Sequence, residues 1–458
     1  MDKSATEQLA EFAANLSYER IPDNVVAAVK RILLDTLGTT IAATTLGSGC
    51  REVVEVMRGL GGKGESSILG YGDKTSMTNA AFINGAHAHA LNYDPIGTEV
   101  GHVGVACLTS PLCVSEAKGG ISGRHFLAAT AVAAEVTARV TTAIARTGRR
   151  PSDKFLSGQL LNYFGSAAGA GSVLRLTPVQ MQSAFGLALM QAAGSMQIVL
   201  AGDPPAKAIY GAFPNQGGVL AALLSKSGLV ATCDVFEGKA GLFSMIYDGV
   251  FDAGALLDGL GAEFLLTKAQ HKAWPTSGMV HPFIEGALQI SRNGVRPMDI
   301  KSVHFIAHQD TAAWCEPRDE RCRPRNPAAA ANSIPFCVAK ALCYGEVGLK
   351  DFTTDGIKDE IALKVAGKTS HSFDNGAHTS VVRVETVEGR LIEGRVPSAY
   401  DSRSISQERL ASKFQDCCRY SASPLCFETV QALMRMIENL EDLNDVRDLP
   451  ALMVGTHE

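Results

Sequence analysis

The sequence has no C-x-x-C pair among its 11 cysteines. An odd number at scattered spacing offers neither a disulfide framework nor an iron–sulfur motif. It reads as the reduced thiols of a cytoplasmic protein. There is no basic run and no interleaving of basic with aromatic residues. With 42 Lys and Arg against 47 Asp and Glu, the formal net charge is −5. Nucleic acid is therefore not an expected partner. A membrane span is not expected either. The longest uncharged run, from Leu176 to Gly202, is broken by Thr177, Gln180, Gln182, Ser183, Gln191 and Gln197. It reads as a pair of buried helices. The N-terminus, MDKSATEQLAEFAANL, mixes charges into its apolar residues and does not read as a signal peptide. No internal repeat and no low-complexity linker divides the chain.

What is present is apolar and small. Hydrophobic residues make up 46% and charged residues 19% of 458 residues, which fits a folded chain of two domains. Ser4 and Glu7 form a capping box, followed by Leu9, Phe12, Ala13 and Leu16 at helical spacing. Pro22-Asp23 opens a second helix expected to end near Gly38. HFLAATAVAAEVTARV, FGSAAGAGSVL and GGVLAALLSKSGL continue the helical reading, and their Ala and Gly content lets helices approach closely. After about residue 268 the period changes to two in IKSVHFIAH and in HTSVVRVETVEGRLIEGRV, with Glu388-Gly389 as a hairpin turn. SIPFCVAKALCYG, between them, reads as a helix. Helical spacing returns from Ser406. The expected fold is mainly α: a helical domain over 1–268, a smaller inserted α+β domain over 269–404, and helices over 405–458 returning to the first.

Three polar stretches stand out. NGAHAHALNYDPIGTEVGH, residues 84 to 102, holds His87, His89, Asp94 and His102. These are ligand types for zinc or iron. The surroundings look helical, however, and residues two apart on a helix point about 200° apart, so no metal site is expected. Lys207 follows Asp203-Pro204-Pro205, a turn, and precedes a Gly-rich helix. At a helix N-terminus it would bind a carboxylate; on the surface it would be a solvated charge. KAQHKAWPTSGMVHPFIEGAL, residues 268 to 288, holds Lys272, Trp274, His281 and Glu285 where the helical half meets the strand-forming half. His281-Pro282 looks like a helix start. The chemistry such groups suit is proton transfer beside a carboxylate. An α-proton there is barely acidic, and its removal needs a positioned base and cations to neutralise the enolate.

Several blocks in order then resemble the MmgE/PrpD family: RILLDTLGTTIA, NGAHAHALNYD, SEAKGGISGRHFLAATAVAAEV, Lys207 with GGVLAALL, KAWPTSGMVHP and ENLEDLNDV. The resemblance covers nearly the whole chain. It implies a large helical domain with a smaller α/β domain, a homodimer, no metal or organic cofactor, and a small di- or tricarboxylate substrate. The family includes 2-methylcitrate dehydratase, cis-aconitate decarboxylase and iminodisuccinate epimerase. Carried over residue by residue, His102 is the acid–base group, Lys207 and Lys272 clamp carboxylates, and His281 is a second proton-transfer group. Asp94 completes the catalytic set, with Asn92, Tyr93 and Gln159 at the substrate. The sequence departs from the family in Asn92-Tyr93-Asp94-Pro95 for Asp-Phe-Asp-Asp and in Gln159 for a histidine. Ser277 stands where the cis-aconitate decarboxylase pattern has another histidine. These departures count against decarboxylation. A dehydratase-type lyase is expected first, an epimerase or isomerase next, and a catalytically silent metabolite-binding relative as the reading of a different class.

Overall fold

Small residues decide how the helices of this chain meet. The computed structural model describes residues 3–97, 99–148, 154–200, 204–376, 378–397 and 405–453. The capping box of Ser4 and Glu7 opens the helix Ala5–Asn15. The next helix, Asp23–Leu46, runs past Gly38 rather than ending there. A mid-helix glycine costs only about 1 kcal/mol, and burial offsets it. A Cβ on Gly38 would come within 3.0 Å of the Phe414 ring, so the missing side chain is what seats the C-terminal helix Gln407–Cys418.

Helices Met77–Ala90, Val103–Lys118, Gly123–Ala145, Ser157–Val173 and Ala212–Lys226 pack side by side. Their contacts run along glycines. A Cβ on Gly165 would lie 1.9 Å from Thr137 Oγ1, and one on Gly218 would lie 2.5 Å from Ser166 Cβ. Gly123–Ala145 is long and apolar enough to cross a membrane, but 94% of its apolar window is buried in the protein. The run from Leu176 departs from expectation. Pro178–Leu189 is a packed helix, but its companion shrinks to Gln197–Leu200, with no buried residue. Gly194, at φ +153°, turns the chain between them. Gly202 and Asp203 lie outside the described residues.

The chain forms two compact units. The first comprises Met1–Ala201, Ala206–His271 and Ser406–Glu458; the second is Lys272–Ile405 with Gly202–Pro205. The second is therefore an insertion, and the fold is mainly α with a smaller α+β part. Its sheet has the order Thr369–Phe373, Ile300–Ala307, Thr379–Thr386, Leu391–Pro397. The first pair is parallel and the others antiparallel. Gly389, at φ +81°, makes the expected hairpin turn. Helix His281–Arg292 packs on that hairpin and on helix Ile334–Tyr344. A Cβ on Gly394 would fall 1.9 Å from the Gly286 carbonyl.

Candidate active site

The helix Met77–Ala90 sets the site. Asn84 anchors it: its Oδ1 accepts from the Leu69 N–H at 3.0 Å and its Nδ2 donates to the Ser67 carbonyl at 2.9 Å. Gly85 lets it approach the chain at Gly211, where a Cβ on Gly85 would meet the Gly211 carbonyl at 2.6 Å. Asn92 stops it, taking the left-handed conformation at φ +49° that Asn tolerates. Its N–H donates to the His89 carbonyl at 2.7 Å.

The two histidines of this helix point to different neighbours. His87 is fully buried and stacks on Tyr71, with 5.8 Å between ring centroids. Neither of its ring nitrogens has a hydrogen-bond partner among the described residues. Burial pushes its pKa down from 6.5 to about 3, so it is a neutral core histidine. Below pH 6.5 the unfolded chain binds this proton and the folded chain does not, so stability present above 6.5 is lost as pH falls toward 3. His87→Leu is expected to flatten this limb. Between pH 7 and 5 the wild type should lose about 2 kcal/mol more than the variant in urea unfolding, from 1.36 kcal/mol per pH unit. Parallel losses would show that His87 carries no such penalty.

His89 instead turns to Asp94. Beyond Asn92 the loop is tied twice. Ile96 exchanges backbone hydrogen bonds with Gln270 at 3.0 and 2.9 Å, and Gly97 does so with Gly101 at 3.1 and 2.9 Å. Gly101, at φ +70°, then reverses the chain into His102, which precedes the helix Val103–Lys118. Asp94, fully buried, thereby receives two imidazoles. His89 Nδ1 lies 3.1 Å from its Oδ1 and His102 Nδ1 lies 2.6 Å from its Oδ2. The rings of His89 and His102 meet edge to face at 4.8 Å. Burial alone would raise the Asp94 pKa, but the charges of His102 and then His89, with their hydrogen bonds, hold it well below the usual carboxylate range. A carboxylate only accepts, so each imidazole carries its proton on Nδ1, which leaves Nε2 of His102 for chemistry. His102 is the more open of the two, its side chain 16% exposed against 4% for His89.

His89, Asp94 and His102 offer donor atoms within 4.8 Å of one another, a spacing a metal ion could use. In this structure each Asp94 oxygen faces a ring nitrogen of its own, so the three form a hydrogen-bonded triad.

Tyr210 closes the triad from the other side, its ring 4.0 Å from that of His89. Burial, and then Asp94, raise its pKa well above 10, so it is a neutral phenol. Gly158 makes room for it: a Cβ there would lie 2.6 Å from the Tyr210 hydroxyl. Gln159 is the next residue, half-buried in the first turn of Ser157–Val173. Lys207 does not start a helix. It ends the turn Pro205–Lys207, upstream of Ala212–Lys226, and its carbonyl accepts from the Tyr210 N–H at 3.5 Å. Its side chain is half-buried.

Tyr93 belongs to a second buried cluster. Lys413 Nζ stands 3.6 Å above its ring and donates to its carbonyl at 2.7 Å. Lys413 pairs with Asp35 at 2.6 Å, and Asp35 holds His271 Nδ1 at 2.7 Å. Sequence reasoning missed Asp35, His271, Lys413 and Tyr210. A signal existed for two of them. Asp35 interrupts the apolar run RILLDTLG, and Lys413 shares the buried helical face of Leu410, Phe414 and Cys417. In the second unit Lys272 is fully buried, and His281 is buried edge to face with Trp274 at 5.1 Å.

A helical body with an inserted α+β unit, carrying a His–Asp–His triad built from the end of an Asn-Gly helix and the loop after it, matches two family models: the MmgE/PrpD N-terminal domain over residues 7–252 and the MmgE/PrpD C-terminal domain over 274–441. The chain belongs to the MmgE/PrpD family. Among curated proteins it is similar to a cis-aconitate decarboxylase-like protein, oryM, of Aspergillus oryzae, at 25% identity over 99% of this chain and 98% of that protein. It is 24% identical to the cis-aconitate decarboxylase of Aspergillus terreus, over 97% of this chain and 95% of the other. The human cis-aconitate decarboxylase is also 24% identical, over 99% and 95%.

Proposed function

We propose that this chain is a lyase that removes a proton beside a carboxylate of a small di- or tricarboxylate and expels a β-hydroxyl as water. The observation that carries this reading is the triad. Asp94 fixes the tautomer of His102, which leaves Nε2 as a base on the more exposed ring. In the step, His102 Nε2 takes the α-proton and the C–H electron pair becomes the new C=C bond. The C–O bond breaks, and the imidazolium returns the proton to the departing oxygen as water. The enolate charge that builds up needs cations or N–H donors. Lys207 supplies a cation. No side-chain cap closes the helix after His102 among the described residues, so its first N–H groups favour an anion. The relatives that match along nearly the whole chain are named cis-aconitate decarboxylases or decarboxylase-like; decarboxylases are lyases, which supports a lyase-type activity at the level of the family.

A second reading is decarboxylation of an unsaturated tricarboxylate, favoured by the names of those relatives. Ser277 stands against it, because it replaces a histidine of that pattern, and Gln159 replaces a histidine of the family at large.

Proton NMR in heavy water separates the readings. Citrate-like hydroxy acids, cis-aconitate and aspartate-derived imino diacids are each incubated with the enzyme, with and without EDTA. A new alkene from a hydroxy acid is the expected result, unchanged by EDTA. Loss of a carboxylate from cis-aconitate would replace elimination with decarboxylation. Solvent deuterium entering a carbon without net product would indicate epimerisation, and binding without turnover a silent relative. Loss of activity on chelation would make the triad a metal centre.

A further inference from the structure

We propose that Asp35 is a positioning residue for the triad, holding the loop that carries Asp94 from both sides; this rests on the acid–base reading of His102 and Asp94. Asp35 lies on the helix Asp23–Leu46, three residues before Gly38 and so on nearly the same face. Gly38 seats Phe414 of the returning C-terminal helix, and Asp35 meets Lys413 of that helix at 2.6 Å. The RILLDTLG block thus reads as a docking face, a carboxylate and a gap one turn apart.

From Asp35 two tethers reach the loop. Lys413 Nζ donates to the Tyr93 carbonyl at 2.7 Å, which is the peptide joining Tyr93 to Asp94. That bond sets the peptide plane between the left-handed Asn92 and the catalytic carboxylate. On the other side Asp35 holds His271 at 2.7 Å, and Gln270, the preceding residue, pairs with Ile96 in both directions. Asp94 sits between the two tethers. All three hub side chains are buried: 0% exposed for Asp35, 7% for His271 and 4% for Lys413. Burying such charges yields little net stability against an apolar replacement. What the hub supplies is geometry, and the triad depends on a 2.6 Å contact. Misplacement by an ångström can lower a rate about 100-fold.

The test compares Asp35→Asn with Lys413→Met in the full-length chain. These variants change the local charge in opposite directions. A mere field effect would therefore move the ring signals of His102 oppositely in the two. Loss of positioning loosens Asp94 from His102 in both, so in both the Nδ1–H tautomer of His102 should give way to a mixture of tautomers. The tautomer is read from imidazole ¹⁵N spectra at alkaline pH, with the His102 signal assigned by its absence in His102→Gln. His102 faces Asp94, His89 and Tyr210, and none of these is altered. The rate constant kcat should fall about 10- to 100-fold in both. A wild-type tautomer in both variants, with or without ring shifts of opposite sign, would overturn the proposal. If either variant fails to fold, Asp35→Glu, which keeps the charge and lengthens the arm, decides it by the same loss of the Nδ1–H tautomer. An inactive wild type would remove the lyase reading, and the tautomer would still report whether the hub sets the triad.

Discussion

Asp94→Asn is expected to lower kcat by about 10²- to 10⁴-fold, the range that general acid–base catalysis supplies. Asp94 accepts from His89 and from His102, one ring to each oxygen. Asn offers one acceptor and one donor. One imidazole must therefore lose its bond or move its proton to Nε2. If that ring is His102, the base is gone. Substrate carboxylates do not touch Asp94 in this scheme, so KM should change far less than kcat. Stability carries a second signature. The folded pKa of Asp94 is depressed by its histidines, so its contribution is present above the unfolded value near 3.9 and is lost as pH falls through the folded one. D94N lacks that term and should be less stable than wild type at pH 7, with the gap closing in acid. A variant retaining wild-type kcat would remove the triad from the mechanism.

Lys207→Ala should cut kcat/KM by about 10- to 100-fold, with circular dichroism unchanged. A hydrogen bond to a charged group is worth about 1.5–3 kcal/mol, and the lysine is half-buried on a turn rather than within a helix. Its loss therefore removes a charge without opening the core. Because the carboxylate charge grows toward an enolate, part of the loss should appear in kcat. Lys207→Arg should restore only part, since a planar guanidinium does not reproduce a point charge on a flexible stem. Steady-state kinetics on the acid that wild type turns over checks both. Activity of K207A within about twofold of wild type, a factor worth under 1 kcal/mol, would leave Lys207 as a surface charge.

Much of this molecule could be read before its structure. Period-3.6 and period-2 patterns located the helices and the sheet, because each records which side of a local element meets water. Gly38 was misread because a glycine looks like a stop unless the packing partner is known. Here that partner is Phe414. The second helix expected after Leu176 failed because Gly194 turned the chain. His102 and Asp94 were singled out from one polar stretch, and the structure joins them at 2.6 Å. His89 was noticed only as a potential ligand.

The sequence alone determined the family, the mainly helical class and the residue types available for chemistry, since local periodicity and block order survive without coordinates. Tertiary structure alone decided which polar groups share a proton and which merely hold the chain. Asp35 and Lys413 are far apart in sequence, yet they meet because Gly38 leaves a gap for the C-terminal helix. A hydrogen bond depends on tenths of an ångström between groups from distant segments, and no spacing within a single stretch encodes that distance.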